Sequence, residues 1–257
     1  MVTRLQSPAT RELFGLAWVD MSFAAWADHF ARVLESGSGG RVLTPNPEML
    51  MLAQDDDALM RILKESDYCL PDGVGLVFAS RFLGLPLAAR LAGSDTLEAV
   101  LPRFQGKIFL WGAHEDIVAR AAERLAQDFP AIQVAGFASG YFEVSQEPYI
   151  IDSIIASGAS WVLVAMGSPK QEYLIEKLYA RHPGAWYMGV GGMFDVLAGA
   201  VPRAPLRVRR WGLEWLYRAF RQPGRIRRWP SLFRFLMMVL RQRVSGGQIK
   251  SNRGSHG

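Results

Sequence analysis

The sequence predicts an α/β protein: a mainly parallel β-sheet with helices on both faces, followed by a basic, helical C-terminal appendage. Three observations carry this. Short apolar runs alternate with helix-period patterns as far as about Gly199, and strands alternating with helices of this length argue for βαβ units. The chain has 257 residues, 50% of them hydrophobic, which is enough to bury a real core. Beyond Val201 the alternation stops and arginine becomes frequent.

Leu13–Val19 reads as a first strand. Phe23, Trp26, Ala27, Phe30, Val33 and Leu34 then recur at helical spacing, and Ser36–Gly40 ends that helix. Arg41–Thr44 is a short strand, followed by one helix from Pro47 and another after Asp55–Asp57. Asp67–Leu70 is the next strand, leading through Pro71–Asp72–Gly73 into a helix over Val74–Leu83. In the second half, strands over Lys107–Trp111, Ile132–Phe137, Trp161–Met166 and Trp186–Val190 alternate with helices over Asp116–Phe129, Tyr149–Ser157 and Pro169–Arg181. The arrangement is Rossmann-like, yet the first strand–helix turn lacks G-x-G-x-x-G, the usual fingerprint of a nicotinamide-dependent oxidoreductase. The body is assigned to residues 1–201 and the appendage to 202–243, with a helix over Trp211–Phe220, a break at Gln222–Gly224 and a helix over Ser231–Arg243. Residues 244–257 are expected to be a loose tail.

Composition excludes several classes. The single cysteine, Cys69, cannot form an internal bridge, so a reducing cytoplasm is expected. Met1–Ser22 holds Pro8 and Glu12 and has no long apolar run, so no signal peptide is expected; no stretch is apolar enough for a spanning helix. The charge is uneven: from Arg203 onward it is +13, against −8 for the rest. A basic end on a mildly acidic body points to an anionic partner. Leu232, Phe233, Phe235–Leu240 and the flanking Arg227, Arg228, Arg241 and Arg243 suit an anionic membrane surface. The same apolar face also fits a subunit interface in a homo-oligomer. A nucleic-acid partner would leave these apolar residues unexplained, and no nucleic-acid motif is present, so none is expected.

Ligands of open α/β sheets bind where strands end and helices begin. Asn46–Pro47 fits an N-cap with proline at the first helical position, which leaves Thr44 unexplained. Asp72 sits in a turn tripeptide, yet offers a carboxylate at a strand end that can act as a general base. Ser168 and Gln171 have capping-box spacing, while the same helix start and Lys170 offer positive charge to a phosphate. Gly189–Val190–Gly191–Gly192 allows close backbone approach to a phosphate or sugar. Asp55–Asp57 reads as a solvated helix start rather than a metal site, and the four histidines form no ligand pair. His29 is expected on a helix surface. No G-x-S-x-G nucleophile motif occurs.

The ordered set of Thr44–Pro45–Asn46–Pro47–Glu48, Pro71–Asp72–Gly73–Val74–Gly75, Arg90 with Gly93, Gly167–Ser168–Pro169–Lys170–Gln171–Glu172, Gly189–Val190–Gly191–Gly192, Arg203–Ala204–Pro205, Gly212–Leu213–Glu214–Trp215–Leu216–Tyr217–Arg218 and Pro223–Gly224–Arg225 resembles the WecG/TagA/CpsF family of bacterial glycosyltransferases. The resemblance runs from Phe14 to about Arg243, with Tyr173 and Leu206 where tryptophan is more usual.

It implies inverting transfer of a hexose from a UDP-sugar to a polyprenyl-diphosphate-linked glycan, in surface or exopolysaccharide assembly at the inner face of the plasma membrane. Asp72 would be the base, with Thr44 and Asn46 orienting the acceptor or the transferred sugar. Gln171 would hold the sugar or nucleotide, and Gly112, Gly189 and Gly191 would lie near the nucleotide. Arg218, Arg225 and Arg228 would close over the leaving diphosphate, with Arg90 a further phosphate partner, and no metal cofactor is expected. The donor stays open among glucose, N-acetylmannosamine and its uronic acid. A non-catalytic nucleotide-binding or membrane-scaffolding protein of the same fold is the competing reading.

Overall fold

The computed structural model describes residues 7–205 and 229–244. The expected first strand is instead a hairpin, with β1 (Thr10–Leu13) and β2 (Leu16–Val19) pairing antiparallel and Leu13 opposite Leu16. Between them Phe14 and Gly15 both take left-handed backbone, at φ 55° and 76°, as a tight two-residue hairpin turn requires. The apolar Phe14 hides that turn in the sequence, because its ring packs edge-on against Phe235 with centroids 5.6 Å apart.

The chain then alternates through α1 (Phe23–Glu35), β3 (Gly40–Leu43), α2 (Pro47–Gln54), α3 (Asp57–Lys64), β4 (Tyr68–Cys69), α4 (Val74–Phe82) and α5 (Gly93–Val100). It continues with β5 (Lys107–Gly112), α6 (Glu115–Asp128), β6 (Gln133–Ala138), α7 (Glu147–Ala156), β7 (Trp161–Ala165), α8 (Lys170–Arg181), β8 (Trp186–Gly189) and α9 (Met193–Leu197). After residues 206–228 comes α10 (Trp229–Val244). The expectations for Trp211–Phe220, Gln222–Gly224, Arg218, Arg225 and Arg228, and for the tail from Ser245, lie outside the described residues.

One sheet has the order β1-β2-β4-β3-β8-β7-β5-β6, and every pairing except β1 with β2 is parallel. β3, β7 and β8 are buried along their whole length, consistent with helices on both faces. One face is covered by α2, α3, α4, α7, α8 and α10, around Leu50, Ile62, Leu76, Ile175 and Phe235. The other is covered by α1, α5, α6 and α9, around Phe30, Leu97, Ala121 and Phe194.

Two further differences from the sequence reading have local causes. α5 was not foreseen: it starts at a glycine, has no side-chain cap and is only two turns long. His29 is not on the surface but 6% exposed, with its Nε2 2.9 Å from the Tyr68 hydroxyl. It stands three residues from Trp26 on the same helix face, and burial lowers its pKa below the ordinary 6.5, helped by the nearby Arg32 charge. Asp56, by contrast, caps α3 through the Leu59 N–H as a helix start should, although it is only partly solvated, its other carboxylate oxygen accepting from the Tyr173 hydroxyl.

Candidate active site

All the parallel strands point their C-terminal ends to one edge of the sheet, where β3 and β4 deliver two adjoining loops. Leu43 ends β3, and Thr44–Pro45–Asn46 leads into α2, where Asn46 Oδ1 accepts from Met49 N–H at 2.9 Å. The capping reading of Asn46 therefore holds. The second loop carries Asp72, whose N–H donates to the Pro45 carbonyl at 3.2 Å. Gly73 follows at φ 115°, and an added Cβ there would lie 3.2 Å from Pro47 Cδ. Left-handed backbone and close packing both explain glycine at this position.

The loop after α4 brings a third segment to the same place. Leu91 N–H donates to the Pro71 carbonyl at 2.9 Å, and Gly93 N–H points at Asp72 Oδ2 from 3.4 Å. Gly93 opens α5, so the positive end of that helix also faces the Asp72 carboxylate. A Cβ on Gly93 would sit 3.0 Å from Thr44 Cγ2, which fixes Thr44 against the same helix start. Arg90 Nη1 is 4.0 Å from Asp72 Oδ1, while its Nη2 pairs with Asp95. Asp95 also accepts from Arg203 Nη2 at 2.6 Å, and Arg203 Nη1 pairs with Glu98. Thr44, Asn46, Asp72 and Arg90 thus cluster at one place on the sheet edge, with Asp72 partly open to solvent.

Next along the edge, β7 leads into α8 through Gly167–Ser168–Pro169. The capping box expected of Ser168 and Gln171 does not form. Pro169 is the N-cap, the Gln171 N–H bonds the Gly167 carbonyl, and its side chain turns inward. There Gln171 Nε2 donates to Glu172 Oε1 at 2.8 Å, both side chains being buried. Gln171 Oε1 meets no donor among the described residues. Burial raises the Glu172 pKa against the opposing pull of the Gln171 amide and Ser168 hydroxyl. Gly189, at the end of β8, makes room for this pair: a Cβ there would lie 2.5 Å from Gln171 Nε2. Gly191 takes φ 51° with nothing within 4 Å of an added Cβ, so its backbone faces open space.

Farther along, the helices after β5 and β7 leave on opposite faces of the sheet, α6 on one and α8 on the other. Such a switch in direction opens a crevice at the strand ends. Here it holds a cavity of about 570 Å³ lined by Ala113, Gly140, Tyr141, Phe142, Glu143, Gln146, Ala165, Met166 and Lys170. Lys170 Nζ donates to the Gly140 carbonyl at 3.2 Å and lies 4.5 Å from the Phe142 ring centre. Tyr141 stacks on His114 with ring centres 3.9 Å apart. Gly112 underlies this cavity, but a Cβ there would lie 2.3 Å from the Ala165 carbonyl oxygen, so strand packing alone demands the glycine. Adjacent strands lie about 4.8 Å apart, so β3 and β5, three positions apart in the sheet, put the Asp72 cluster about 14 Å from this cavity.

Beside the Asp72 loop, α10 lies against α2 with Phe235 and Val239 buried, and Arg234 grips Asp55 through both nitrogens at 2.7 and 2.9 Å. Its outer side exposes Phe233, Leu236, Met237 and Leu240. α4 exposes Phe78 and Phe82, and Arg243 of α10 lies 5.7 Å from the Phe82 ring centre, which joins the two faces. Among the described residues no helix is long and apolar enough to cross a membrane, and no three His, Cys, Asp or Glu side chains gather to hold a metal ion.

Sequence reasoning missed Asp95 and the inward turn of Glu172. Asp95 belongs to the unforeseen α5, and Glu172 looked like an ordinary first-turn acid, which gave no signal of burial.

A sequence model described as Glycosyl transferase WecG/TagA/CpsF family matches residues 11–248. The chain is 36% identical over 251 residues to the N-acetylglucosaminyldiphosphoundecaprenol N-acetyl-beta-D-mannosaminyltransferase of Bacillus spizizenii, covering 94% of this chain and 97% of that one. It is 31% identical over 237 residues to the enzyme of the same name from Bacillus subtilis, covering 91% and 92%.

Proposed function

The chain belongs to the WecG/TagA/CpsF family of glycosyl transferases, and from that premise we propose that it moves N-acetylmannosamine from a UDP-sugar to an N-acetylglucosamine carried on a polyprenyl diphosphate. The acceptor and the sugar follow the names of the two relatives. The observation that carries the site assignment is the clustering of Thr44, Asp72, Arg90 and the Gly93 N–H at one place on the sheet edge.

In this reading the acceptor hydroxyl lies against Asp72. Its oxygen attacks the anomeric carbon while the carboxylate takes its proton, and the bond from that carbon to the diphosphate breaks with its electron pair going to UDP. Attack opposite to the leaving group inverts the anomeric centre. Thr44 and Asn46 orient the acceptor or the sugar, and Gln171 holds the sugar or nucleotide once its side chain, buried here with Oε1 lacking a donor among the described residues, turns outward. The nucleotide occupies the cavity between β5 and β7, with its base at Tyr141 and its phosphates toward Lys170, while Gly189 and Gly191, at the end of β8, stand between that cavity and the Asp72 cluster. A nucleotide-diphosphate sugar spans such a gap.

The charge released on UDP needs positive groups preorganised around it. Arg218, Arg225 and Arg228 suit that role by bidentate contact, and the reaction is proposed to need no metal. The chain on either side of residues 206–228 supports this assignment, because Arg203 is held by Asp95 on one flank of the Asp72 loop and Phe235 lies beside Gly75 on the other. The exposed apolar side of α4 and α10, with Arg241 and Arg243 beside it, is proposed to rest on the anionic inner face of the plasma membrane that carries the acceptor.

A transfer assay on a short polyprenyl-diphosphate N-acetylglucosamine tests this, with UDP-N-acetylmannosamine, its uronic acid and UDP-glucose as donors, with and without EDTA. Transfer from UDP-N-acetylmannosamine alone, unaffected by EDTA and giving an inverted product, is expected. Preference for another donor would overturn the sugar, EDTA inhibition the metal-free chemistry, and retention the single displacement.

A further inference from the structure

Arg90 faces two carboxylates at once. Its Nη2 pairs with Asp95, which aims its Nη1 toward Asp72 Oδ1 4.0 Å away. The other Asp95 oxygen takes Arg203 Nη2 at 2.6 Å, and Arg203 is itself 9% exposed and also paired with Glu98. A guanidinium held by a carboxylate through one nitrogen cannot swing freely to a diphosphate, whereas its second nitrogen is directed to one place. Asp95 and Glu98 sit one turn apart on α5, the helix whose first N–H points at Asp72 and whose first Cα packs on Thr44. The rigid element that carries Asp95 is therefore the one against which both proposed catalytic side chains are set.

We propose that Asp95 is a positioning residue: it locks Arg90 onto Asp72, so that Arg90 serves the base rather than the leaving diphosphate, and it registers the start of the basic C-terminal stretch, through Arg203, to the same point. The proposal rests on the assignment of Asp72 as the base. Asp95 touches neither sugar nor nucleotide; it acts through Arg90. Loss of Asp95 leaves Arg90 free to turn away, and the Asp72 carboxylate loses its lateral restraint. Misplacement of a reacting group by about 1 Å can cost about a hundredfold in rate.

A double-mutant cycle in the full-length protein tests it, with kcat and both KM values measured for wild type, Asp95→Asn, Arg90→Lys and the double variant. Asp95→Asn is expected to lower kcat by about ten- to a hundredfold, with both KM values within about threefold. In the Arg90→Lys background the same change is expected to cost less than about threefold more, because the group it acts through is already gone. Asp95→Glu is expected to recover part of the loss.

Multiplicative losses, or a donor KM that rises with unchanged kcat, would overturn the proposal, the second by returning Arg90 to the diphosphate. If Asp95→Asn fails to fold, the cycle is run with Asp95→Glu and read in the same way. Asp72→Asn, assayed alongside, separates the two claims. Retained transfer in that variant would overturn the base assignment, while the cycle would still report whether Asp95 and Arg90 act as one unit.

Discussion

Gly189→Ala is the most exacting probe of the space around Gln171. The added methyl carbon would stand 2.5 Å from Gln171 Nε2, 3.0 Å from its Cδ and 3.4 Å from its Cγ. An ordinary contact needs about 3.5 Å, so the amide must retreat by about 1 Å. β8 cannot yield, since it is buried and bonded to β3 and β7 along its length. The side chain is what moves, and its 2.8 Å bond to Glu172 stretches or breaks. That bond's loss costs about 1–3 kcal/mol, or a fall in melting temperature of about 2–12 °C for a chain of this size. The effect on transfer should be larger, about a hundredfold in kcat/KM, because the amide no longer meets its ligand. Gly37→Ala is the matched control: on the loop before β3, away from the strand ends that carry the site, it meets nothing within 4 Å and bears only the left-handed backbone strain at φ 71°, about 1–2 kcal/mol. Steady-state transfer and thermal unfolding of both variants give the answer. Gly189→Ala with transfer within twofold of wild type would refute the placement of Gln171.

Acidification should destabilise the protein through His29. Its folded pKa lies below 6.5, so the unfolded chain binds the extra proton first; the stability is complete above that value and declines as pH falls through it. The melting temperature of His29→Gln should therefore fall less between pH 7 and 5 than that of wild type; equal slopes would refute this. Phe78→Ser with Phe82→Ser should weaken binding to vesicles rich in anionic lipid by about tenfold or more, given about 1.5–3 kcal/mol for each fully buried phenylalanine, while transfer to a water-soluble short-chain acceptor is kept. Unchanged vesicle binding would remove that face from the membrane. Phe235→Ala should cost about 3–5 kcal/mol, lost first at α10, where hydrogen exchange would speed up ahead of the sheet; uniform acceleration would contradict local undocking.

The sequence showed the sheet and its helices because strands buried on two faces and amphipathic helices impose distinct periods. It did not show the hairpin at Phe14–Gly15, where an aromatic residue occupies a left-handed turn position, nor α5, which lacks a cap and a full stripe. The site was legible residue by residue but not in its wiring. Thr44, Asp72 and Gln171 stood out at strand ends, yet Gly93 N–H against Asp72, Gly189 against Gln171 and Asp95 behind Arg90 are contacts between distant segments. His29 misled because helical period alone does not tell a surface histidine from one placed under Tyr68 by a neighbouring strand.

The central claim is that Asp72 removes the acceptor proton. Calorimetric titration of UDP and single-turnover transfer, measured together on wild type and Asp72→Asn, test it most directly. The account predicts UDP affinity within about threefold and a chemical step slower by about a hundred- to ten-thousandfold, the range a positioned general base supplies. A chemical step within tenfold of wild type would contradict it.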